Sequence, residues 1–387
     1  MSTDYDVAVV GLGAMGSAAV YHLSKAGASV IGFDQHHPPH AYGSTHGETR
    51  ITRLAIGEGA QYVPLVSRSH QLWRELEQQT GKQIFDQCGG LIMANQGNPF
   101  LAQTKASALE YSIPHQELSG SQISDKFPVF AAGPEVQGIY EPSAGFLRPE
   151  VAVESHLKLA SKQAADLHFG ERVKSWSACG GGYRVETGKG SYFCKKLVIC
   201  AGPWVHDFFP EGRDLFKVYR QLLYWFEFER NYQQFKQMPV FIWEFGASPD
   251  DFIYGFPAIN GKQGGIKIAT EIYDHPMSPD DLQRKATSEE KRKMFEQYIK
   301  PNLPGLMPAP LRTVSCWYTN TSDNHFIIDS PENHQQLLLV SACSGHGFKH
   351  SPAIGEAVAQ WADKEKSDID LSAFGLQHQE PAFAAEV

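Results

Sequence analysis

Two apolar runs flank a helical stretch at the start of the chain. Residues 7–10 have strand character, residues 17–25 have a helical pattern that Gly27 ends, and residues 29–33 form a second strand-like run before Asp34. Strand, helix and strand in this order, with glycines at the turns, predict a βαβ unit.

Further along, helical and strand patterns alternate. The pattern predicts helices at 63–77, 101–112 and 288–299 and from about residue 354, and buried strands at 90–93, 195–200 and 337–340. Residues 224–228 and 266–269 read as strands with one face toward water or a ligand. Together these segments predict an α/β fold, and a length of 387 residues favours two domains.

Glycine turns follow apolar strands near both ends of the chain, so we expect one domain to be built from both ends. This Rossmann-like, dinucleotide-binding domain is predicted to contain residues 1–80, 141–215 and 317–387. The substrate domain is predicted at residues 81–140 and 216–316, as a mixed β-sheet with helices.

The first turn of the βαβ unit carries a dinucleotide-binding fingerprint, Gly11-x-Gly13-x-x-Gly16. Gly11 permits the tight turn, Gly13 lets the backbone approach a pyrophosphate, and Gly16 allows close packing of helix and strand. The helix N-terminus offers free N–H groups to the phosphates, and Asp34 stands where a carboxylate accepts hydrogen bonds from ribose hydroxyls. The fingerprint alone does not distinguish NAD from FAD.

Composition narrows the class of protein. A net charge of −9 argues against a nucleic-acid partner, and there is no apolar run of 18 residues that predicts a membrane span. The six cysteines are scattered without CxxC pairing, which predicts reduced thiols and no metal site. With no leader pattern at the N-terminus, we expect a cytoplasmic location.

Eight further stretches resemble one family, the FAD-dependent amine oxidases of the monomeric sarcosine oxidase and N-methyltryptophan oxidase group. They are GSTHGETRITR (43–53), GEG (57–59), YVP (62–64), AGPW (201–204), YGFP (254–257), CWY (316–318), HFIID (325–329) and SGHGFK (344–349). The resemblance covers nearly the whole chain in order. It implies FAD as the cofactor and a glutathione-reductase-type FAD-binding domain.

The resemblance assigns the flavin contacts. Cys316 matches the cysteine that forms a thioether to the flavin 8α-methyl group, although a lone cysteine is more often simply buried. Lys267 matches the lysine that promotes the reaction with oxygen, and Arg50, His46 and Thr49 are implied along the flavin ring. For His46 a hydrogen-bonded loop histidine is the alternative. The full set implied to bind the cofactor is Gly11, Gly13, Ala14, Met15, Gly16, Asp34, Ser44, Thr45, Arg50, Val173, Ala201, Gly202, Trp204, Cys316, Gly345, His346, Gly347 and Lys349.

The same resemblance assigns the substrate contacts. Arg53 and Lys349 match the pair that binds the substrate carboxylate, because a guanidinium can clamp it while an ammonium adds a point charge. Tyr254 and Tyr318 are implied in the pocket wall, and Gly345 lies on the glycine-rich turn beside the substrate.

One position departs from the family pattern. Glu271 stands where relatives carry a histidine, four residues after Lys267. A glutamate that reached the pocket would favour a substrate with an additional cationic group or alter the pKa of the amine. A shifted register, or a side chain turned to solvent, are the alternatives.

The implied activity is oxidation of a secondary, N-methylated or cyclic amino acid by O2 to an imine and hydrogen peroxide. The partners are then a small-molecule amine and oxygen, and the family suggests a monomer. A glycine or D-amino-acid oxidase, or a dehydrogenase with another electron acceptor, is the rival enzyme. An alternative from a different functional class is a protein that binds flavin but does not catalyse a reaction.

Overall fold

The predicted βαβ unit is present in the computed structural model, which describes residues 4–246, 251–281 and 285–379. The strands are β1 (Asp4–Val10), β2 (Val30–Asp34), β3 (Arg50–Thr52), β4 (Phe85–Asp86), β5 (Gly90–Asn95), β6 (Gln116–Ser119), β7 (Val136–Glu141), β8 (Gly145–Leu147), β9 (Asp166–Phe169), β10 (Val173–Cys179), β11 (Gly182–Thr187), β12 (Ser191–Ile199), β13 (Lys217–Phe228), β14 (Val240–Glu244), β15 (Phe252–Gly255), β16 (Ile266–Ala269), β17 (Leu306–Asn320), β18 (Ile327–Asp329) and β19 (Leu337–Ser341).

Helices connect these strands. They are α1 (Ala14–Lys25), α2 (Val63–Thr80), α3 (Pro99–Glu110), α4 (Gly120–Lys126), α5 (Pro149–Lys162), α6 (Tyr232–Gln237), α7 (Gly261–Gly264), α8 (Ser288–Lys293), α9 (Lys300–Asn302) and α10 (Ser351–Lys364). The helix predicted at 288–299 begins as α8 and continues through a π-helical segment, Met294–Ile299, into α9. Short 3₁₀ turns occur at Ala60–Tyr62, Gly202–Asp207, Pro210–Leu215, Phe348–His350, Ser372–Phe374 and Leu376–His378.

The first sheet has parallel strands at its centre. Its order is β10-β11-β12-β1-β2-β9. The first half of β12 pairs with β11, and its last residues pair with β19. Strand β18 is the antiparallel neighbour of β19. Strands β9, β2, β1, β12 and β19 are parallel. Residues 7–10 of β1 and all of β2 are buried, as expected for strands covered on both faces. Helix α1 packs between α5 and α10 over this sheet.

The second sheet is mixed and aromatic. Its order is β17-β13-β16-β15-β14-β5-β7-β6, with β14 and β5 as the parallel pair. A separate apolar core, rich in Phe, Trp and Tyr, covers it. Strand β17 is long because it pairs with β13 over most of its length. The predicted α/β class with a second, mixed sheet is therefore confirmed.

A small third sheet, ordered β3-β8-β4, carries the Arg50 segment. Strands of two or three residues have too few alternating positions to be recognised from the sequence. One cavity is surrounded by the carboxyl ends of β1 and β2 from the first sheet, by the Arg50 segment and by strands β14, β15 and β17 of the second sheet.

Candidate functional site

The fingerprint glycines are required by the packing of β1, α1 and β12. At Gly11, where φ is +89°, an added Cβ would lie 2.4 Å from the Cys200 carbonyl oxygen. At Gly16 it would lie 1.7 Å from the Gly11 carbonyl oxygen. At Gly13 it would meet nothing closer than Thr45 Oγ1 at 3.6 Å, so this glycine borders open space. Gly11 and Gly16 hold the turn together, and Gly13 leaves the helix N-terminus accessible.

Asp34 ends β2 at the rim of the same space. Its Oδ2 accepts a hydrogen bond from Leu12 N at 2.9 Å, and Oδ1 accepts one from His36 N at 2.8 Å. His40 Nε2 lies 3.4 Å from Oδ1. Two backbone N–H groups therefore fix the carboxylate beside the glycine turn, where the fingerprint places the ribose.

A cavity of about 850 Å³ extends from Asp34 to Lys349. The predicted cofactor residues that line it are Gly11, Gly13, Ala14, Met15, Asp34, Ser44, Thr45, Arg50, Val173, Ala201, Gly202, Trp204, Gly345, His346, Gly347 and Lys349. The predicted substrate residues that line it are Arg53, Tyr254, Glu271, Tyr318, Gly345 and Lys349. Gly16, His46, Thr49, Lys267 and Cys316 are outside this lining and lie behind it.

Lys267, on β16, is buried and held by two carbonyl groups. Its Nζ donates to the carbonyl oxygens of Gly47 at 2.7 Å and Thr49 at 2.8 Å. Burial, and then the nearby Arg50 guanidinium, lower the pKa of Lys267 well below its ordinary value. The loop that supplies these carbonyls is anchored by Glu150, whose Oε1 accepts from Gly47 N at 2.7 Å and from Glu48 N at 3.1 Å. Neither Gly47 nor Glu150 was predicted.

Cys316, on β17, lies beside Arg50. Arg50 Nη2 is 3.6 Å from Cys316 Sγ and donates to the Ser44 carbonyl oxygen at 2.6 Å. Cys316 Sγ also lies 3.4 Å from the Ser44 carbonyl oxygen. The structure thus brings together Ser44, Arg50 and Cys316 next to Lys267, although they come from segments far apart in the chain.

His46 and Thr49 complete this buried group. His46 Nε2 and Thr49 Oγ1 have no hydrogen-bond partner. Burial, followed by Arg50 and Lys267, lowers the pKa of His46 to about 3, so its ring is neutral near pH 7. Thr49 acts through its carbonyl, which accepts from both Lys267 and Arg50 Nη1.

At the other end of the cavity, Arg53 and Lys349 share one carboxylate. Arg53 Nη2 lies 2.6 Å from Glu58 Oε2, and Lys349 Nζ lies 3.8 Å from Glu58 Oε1. Lys349 Nζ also donates to the His346 carbonyl oxygen at 2.7 Å. Burial lowers the pKa of Lys349 to about 8, with Glu58 opposing the shift and Arg53 adding to it. Glu58 was not predicted as a site residue, although it lies in the matched stretch 57–59.

Three side chains form the wall opposite this pair. Tyr254 and Tyr318 contact each other through their hydroxyl oxygens at 3.3 Å. Glu271 lines the cavity, and Tyr273 donates a hydrogen bond to its Oε2 at 2.6 Å. Burial raises the pKa of Glu271 to about 7, and Tyr273 opposes that shift. The Glu271 side chain therefore faces the cavity instead of bulk solvent.

The residues present fit an FAD molecule. The cavity joins the dinucleotide turn to a polar chamber, the end of the cavity that is lined by Arg50, Arg53 and Lys349. Two polar atoms of lining residues, Ser44 Oγ and His346 Nδ1, are buried without a hydrogen-bond partner. Buried polar atoms without a partner are uncommon, and a ligand in this cavity would satisfy them. In the described ranges there is no group of three or more His, Cys, Asp or Glu that is arranged for a metal ion. No helix among those residues is long and apolar enough to span a membrane.

Solved structures show the same fold. NikD, described as an unusual amino acid oxidase essential for nikkomycin biosynthesis, superimposes in its open form with a TM-score of 0.83. The match covers 97% of this chain and 98% of NikD at 22% sequence identity. L-proline dehydrogenase from P. horikoshii superimposes with a TM-score of 0.82 at 19% identity, covering 99% and 98% of the two chains.

Curated relatives are more similar in sequence. Monomeric sarcosine oxidase of Streptomyces avermitilis is 37% identical over 368 residues, which is 94% of each chain. N-methyl-L-tryptophan oxidase of Yersinia pestis is 36% identical over 380 residues, 96% of this chain and 99% of that one. The sequence profile described as FAD dependent oxidoreductase matches residues 6–361. The chain therefore belongs to the family of FAD-dependent oxidoreductases, and its fingerprint turn, its cavity and its polar chamber are those of a flavoenzyme.

Proposed function

We propose that this chain oxidises the C–N bond of a secondary amino acid, N-methylated or cyclic, with O2 as the electron acceptor. The substrate loses two electrons and two protons and becomes an imine, and oxygen takes them up as hydrogen peroxide. Water then hydrolyses the imine to an aldehyde, formaldehyde for a methyl group, and an amine. The observation that carries this proposal is the cationic pair Arg53 and Lys349 in one cavity with Arg50, which contacts Cys316 behind the cavity wall, where Lys267 is also buried.

FAD, when bound, accepts a hydride equivalent from the substrate and makes its two electrons available to oxygen. The dinucleotide part would be held by the Gly11–Gly16 turn, with Asp34 at the ribose and Val173 at the cavity wall. Ser44, Arg50 and the Gly345–Gly347 turn would hold the flavin end. Since this chain positions the reactants and supplies charge, its own residues act through orientation and electrostatics.

Arg53 and Lys349 would bind the substrate carboxylate. With Glu58 alone between them, two cations face one anion, and one positive charge remains for a second carboxylate. A bidentate guanidinium contact fixes the direction of the carboxylate and hence of the amine attached to the next carbon. Tyr254 and Tyr318 exclude water from the opposite side.

Lys267 would assist the oxygen reaction. Two of its N–H groups are used by the Gly47 and Thr49 carbonyls, which hold the ammonium in place beside Arg50. A fixed cation stabilises negative charge that develops when oxygen accepts its first electron. The two carbonyl acceptors favour the charged form of Lys267, against the burial and the Arg50 charge that lower its pKa.

We further propose a covalent link through Cys316. Its Sγ would form a thioether with the flavin 8α carbon, at the expense of one S–H and one C–H bond. The two electrons and two protons released pass to oxygen as hydrogen peroxide. Arg50 Nη2, 3.6 Å from Sγ, and the Ser44 carbonyl oxygen, 3.4 Å from it, support this assignment because they fix the position of the thiol.

The domain boundaries, a monomeric state and a cytoplasmic location stay predictions. Light scattering after gel filtration measures the mass directly, and a particle of about 43.0 kDa is expected for a monomer.

The activity is tested with purified holoenzyme by peroxide release from sarcosine, N-methyl amino acids and cyclic imino acids. Each active compound is then mixed anaerobically to follow flavin bleaching. Oxidation of primary amino acids alone would favour the glycine or D-amino-acid oxidase alternative. Bleaching without peroxide release in air would favour a dehydrogenase, and no bleaching with any amine would contradict the proposal.

A further inference from the structure

Two cavity-lining carboxylates, Glu244 and Glu271, have only neutral hydrogen-bond partners. Tyr273 donates to Glu271 Oε2 at 2.6 Å, and Asn98 Nδ2 donates to Glu244 Oε2 at 2.9 Å. In the ranges that the structure describes, no Lys, Arg or His nitrogen lies within 4.0 Å of either carboxylate. Both side chains are half-buried. Both therefore line the cavity with one oxygen hydrogen-bonded to a neutral donor and with no cation in contact.

This contrasts with the third cavity carboxylate, Glu58, which has two cations. Arg53 and Lys349 exceed Glu58 by one positive charge, which a single substrate carboxylate neutralises. Glu244 and Glu271 have no such compensation. A partly buried carboxylate without a counter-ion is costly, so it takes up a proton more readily or is stabilised when a cation binds beside it.

The amine that is oxidised cannot supply the missing charge. It must be neutral when the C–H bond is broken, because its lone pair becomes part of the imine. A positive group elsewhere in the substrate would supply one charge to this pair of carboxylates, and the raised pKa of each lets the pair keep a proton for the other charge. Building on the proposed function, we infer that the preferred substrate is a secondary amino acid with a second cationic group, an ammonium or guanidinium, held by Glu271 and Glu244.

The immediate surroundings of Glu271 support this assignment. Tyr273 fixes one oxygen, and the other lies 3.0 Å from the position of a Cβ at Gly345, on the turn that also lines the cavity. The absence of a side chain at Gly345 leaves this oxygen accessible. The pKa of Glu271 is raised to about 7, by burial and by the negative charges of Glu58 and Glu244, although Tyr273 and the more distant Lys349 oppose the shift. A cation at the free oxygen would reverse that shift.

A matched pair of substrates tests the inference. Nα-methyl-L-lysine and Nα-methyl-L-norleucine have side chains of similar length and differ in the terminal ammonium. We expect kcat/KM to be at least about tenfold higher for the lysine derivative, the size of one charge-assisted contact. Glu271→Gln and Glu244→Gln should each reduce this ratio, while Glu227→Gln, an exposed glutamate on β13, should leave it unchanged.

The outcomes separate this inference from the proposed function. Equal or better oxidation of the norleucine derivative by the unsubstituted enzyme would overturn the inference and leave the proposed function intact. Failure to oxidise either derivative, sarcosine or a cyclic imino acid would overturn both.

A binding measurement gives a second readout without turnover. Calorimetric titration of the holoenzyme with 6-aminohexanoate and hexanoate compares ligands that share the carboxylate. The amino compound should bind at least about tenfold more tightly, and Glu271→Gln should remove the difference while still binding hexanoate. Equal Kd values for the two compounds in the unsubstituted enzyme would contradict the inference.

Discussion

Arg50 Nη2 lies 3.6 Å from Cys316 Sγ, although 266 positions separate the two residues. Arg50 comes from the small third sheet and Cys316 from the longest strand of the second sheet. The Ser44 carbonyl accepts from Arg50 and also lies beside Sγ, so the thiol position is fixed by the loop before β3. The covalent link proposed for Cys316 can be tested directly.

Replacing Cys316 with serine should convert the flavin from covalent to dissociable. When the unsubstituted holoenzyme is precipitated with acid, the yellow colour should stay with the protein. With Cys316→Ser the flavin should appear in the supernatant. Cys343→Ser is the control, since Cys343 is a cysteine that lines the cavity, and it should leave the flavin in the pellet. Flavin in the supernatant of the unsubstituted protein would exclude the thioether.

Replacing Lys267 with methionine should separate the two half-reactions. Anaerobic bleaching by substrate should continue at a similar rate, whereas reoxidation by O2 should slow by about 10²- to 10³-fold, the usual cost of removing one preorganised charge. Stopped-flow absorbance measures both steps. Lys262→Met, at an exposed lysine on α7, controls for the loss of a lysine and should change neither. Unchanged reoxidation in Lys267→Met would remove Lys267 from the oxygen reaction.

Carboxylate binding should weaken as pH rises through about 8. Lys349 has its pKa lowered to about 8, so it is cationic below that pH and neutral above it. Once Lys349 is neutral, its contribution is lost, and the Kd of hexanoate should increase by up to about tenfold per pH unit. The bound carboxylate of hexanoate stabilises the Lys349 ammonium, so Lys349 should stay protonated to a somewhat higher pH in the complex than in the free enzyme.

The control for that titration is Lys349→Arg. A guanidinium stays protonated over the whole range, so the increase in Kd above pH 8 should disappear. His346, whose pKa burial lowers to about 4, is already neutral there. Glu271, with a raised pKa of about 7, is ionised there. If the Kd of hexanoate still rises above pH 8 in Lys349→Arg, the titration belongs to another group.

Alanine at two fingerprint positions should have different consequences. Gly16→Ala would place a Cβ 1.7 Å from the Gly11 carbonyl oxygen, so we expect a loss of at least about 3 kcal/mol in the free energy of unfolding. Gly13→Ala meets its nearest atom at 3.6 Å and should cost under about 1 kcal/mol, yet its methyl group points toward the dinucleotide and should lower FAD content. Urea unfolding and the flavin-to-protein absorbance ratio, both in a Cys316→Ser background, measure the two effects. Equal stability of both variants would contradict this account.

Local patterns predicted the βαβ unit and the long helix α2 because those segments carry their own apolar period and end at glycine. They did not predict the third sheet, whose strands of two or three residues are held by pairing with distant segments. The π-helical segment within residues 288–302 also has no distinct pattern. Long-range pairing and local backbone adjustment are set by tertiary contacts, which periodicity does not record.

The same limit applies to the candidate site. Residue type and position made Gly11 and Asp34 recognisable, whereas Lys267 and Cys316 were identified through the resemblance. Glu58 and Glu244 were missed because the sequence does not show which residue a glutamate contacts. Only the fold places Glu58 beside two cations and Glu244 beside the amide of Asn98.

Glu58 neutralises one of the two charges of Arg53 and Lys349 and leaves a single positive charge in excess on the cavity wall. On the proposed function, an amino acid that enters completes the balance with its own carboxylate, beside Glu58. A simple amine without an acidic group cannot neutralise that charge, whatever its shape. We therefore expect the pair to select against the many small amines of a cell by charge balance alone, before any contact with the reacting C–N bond.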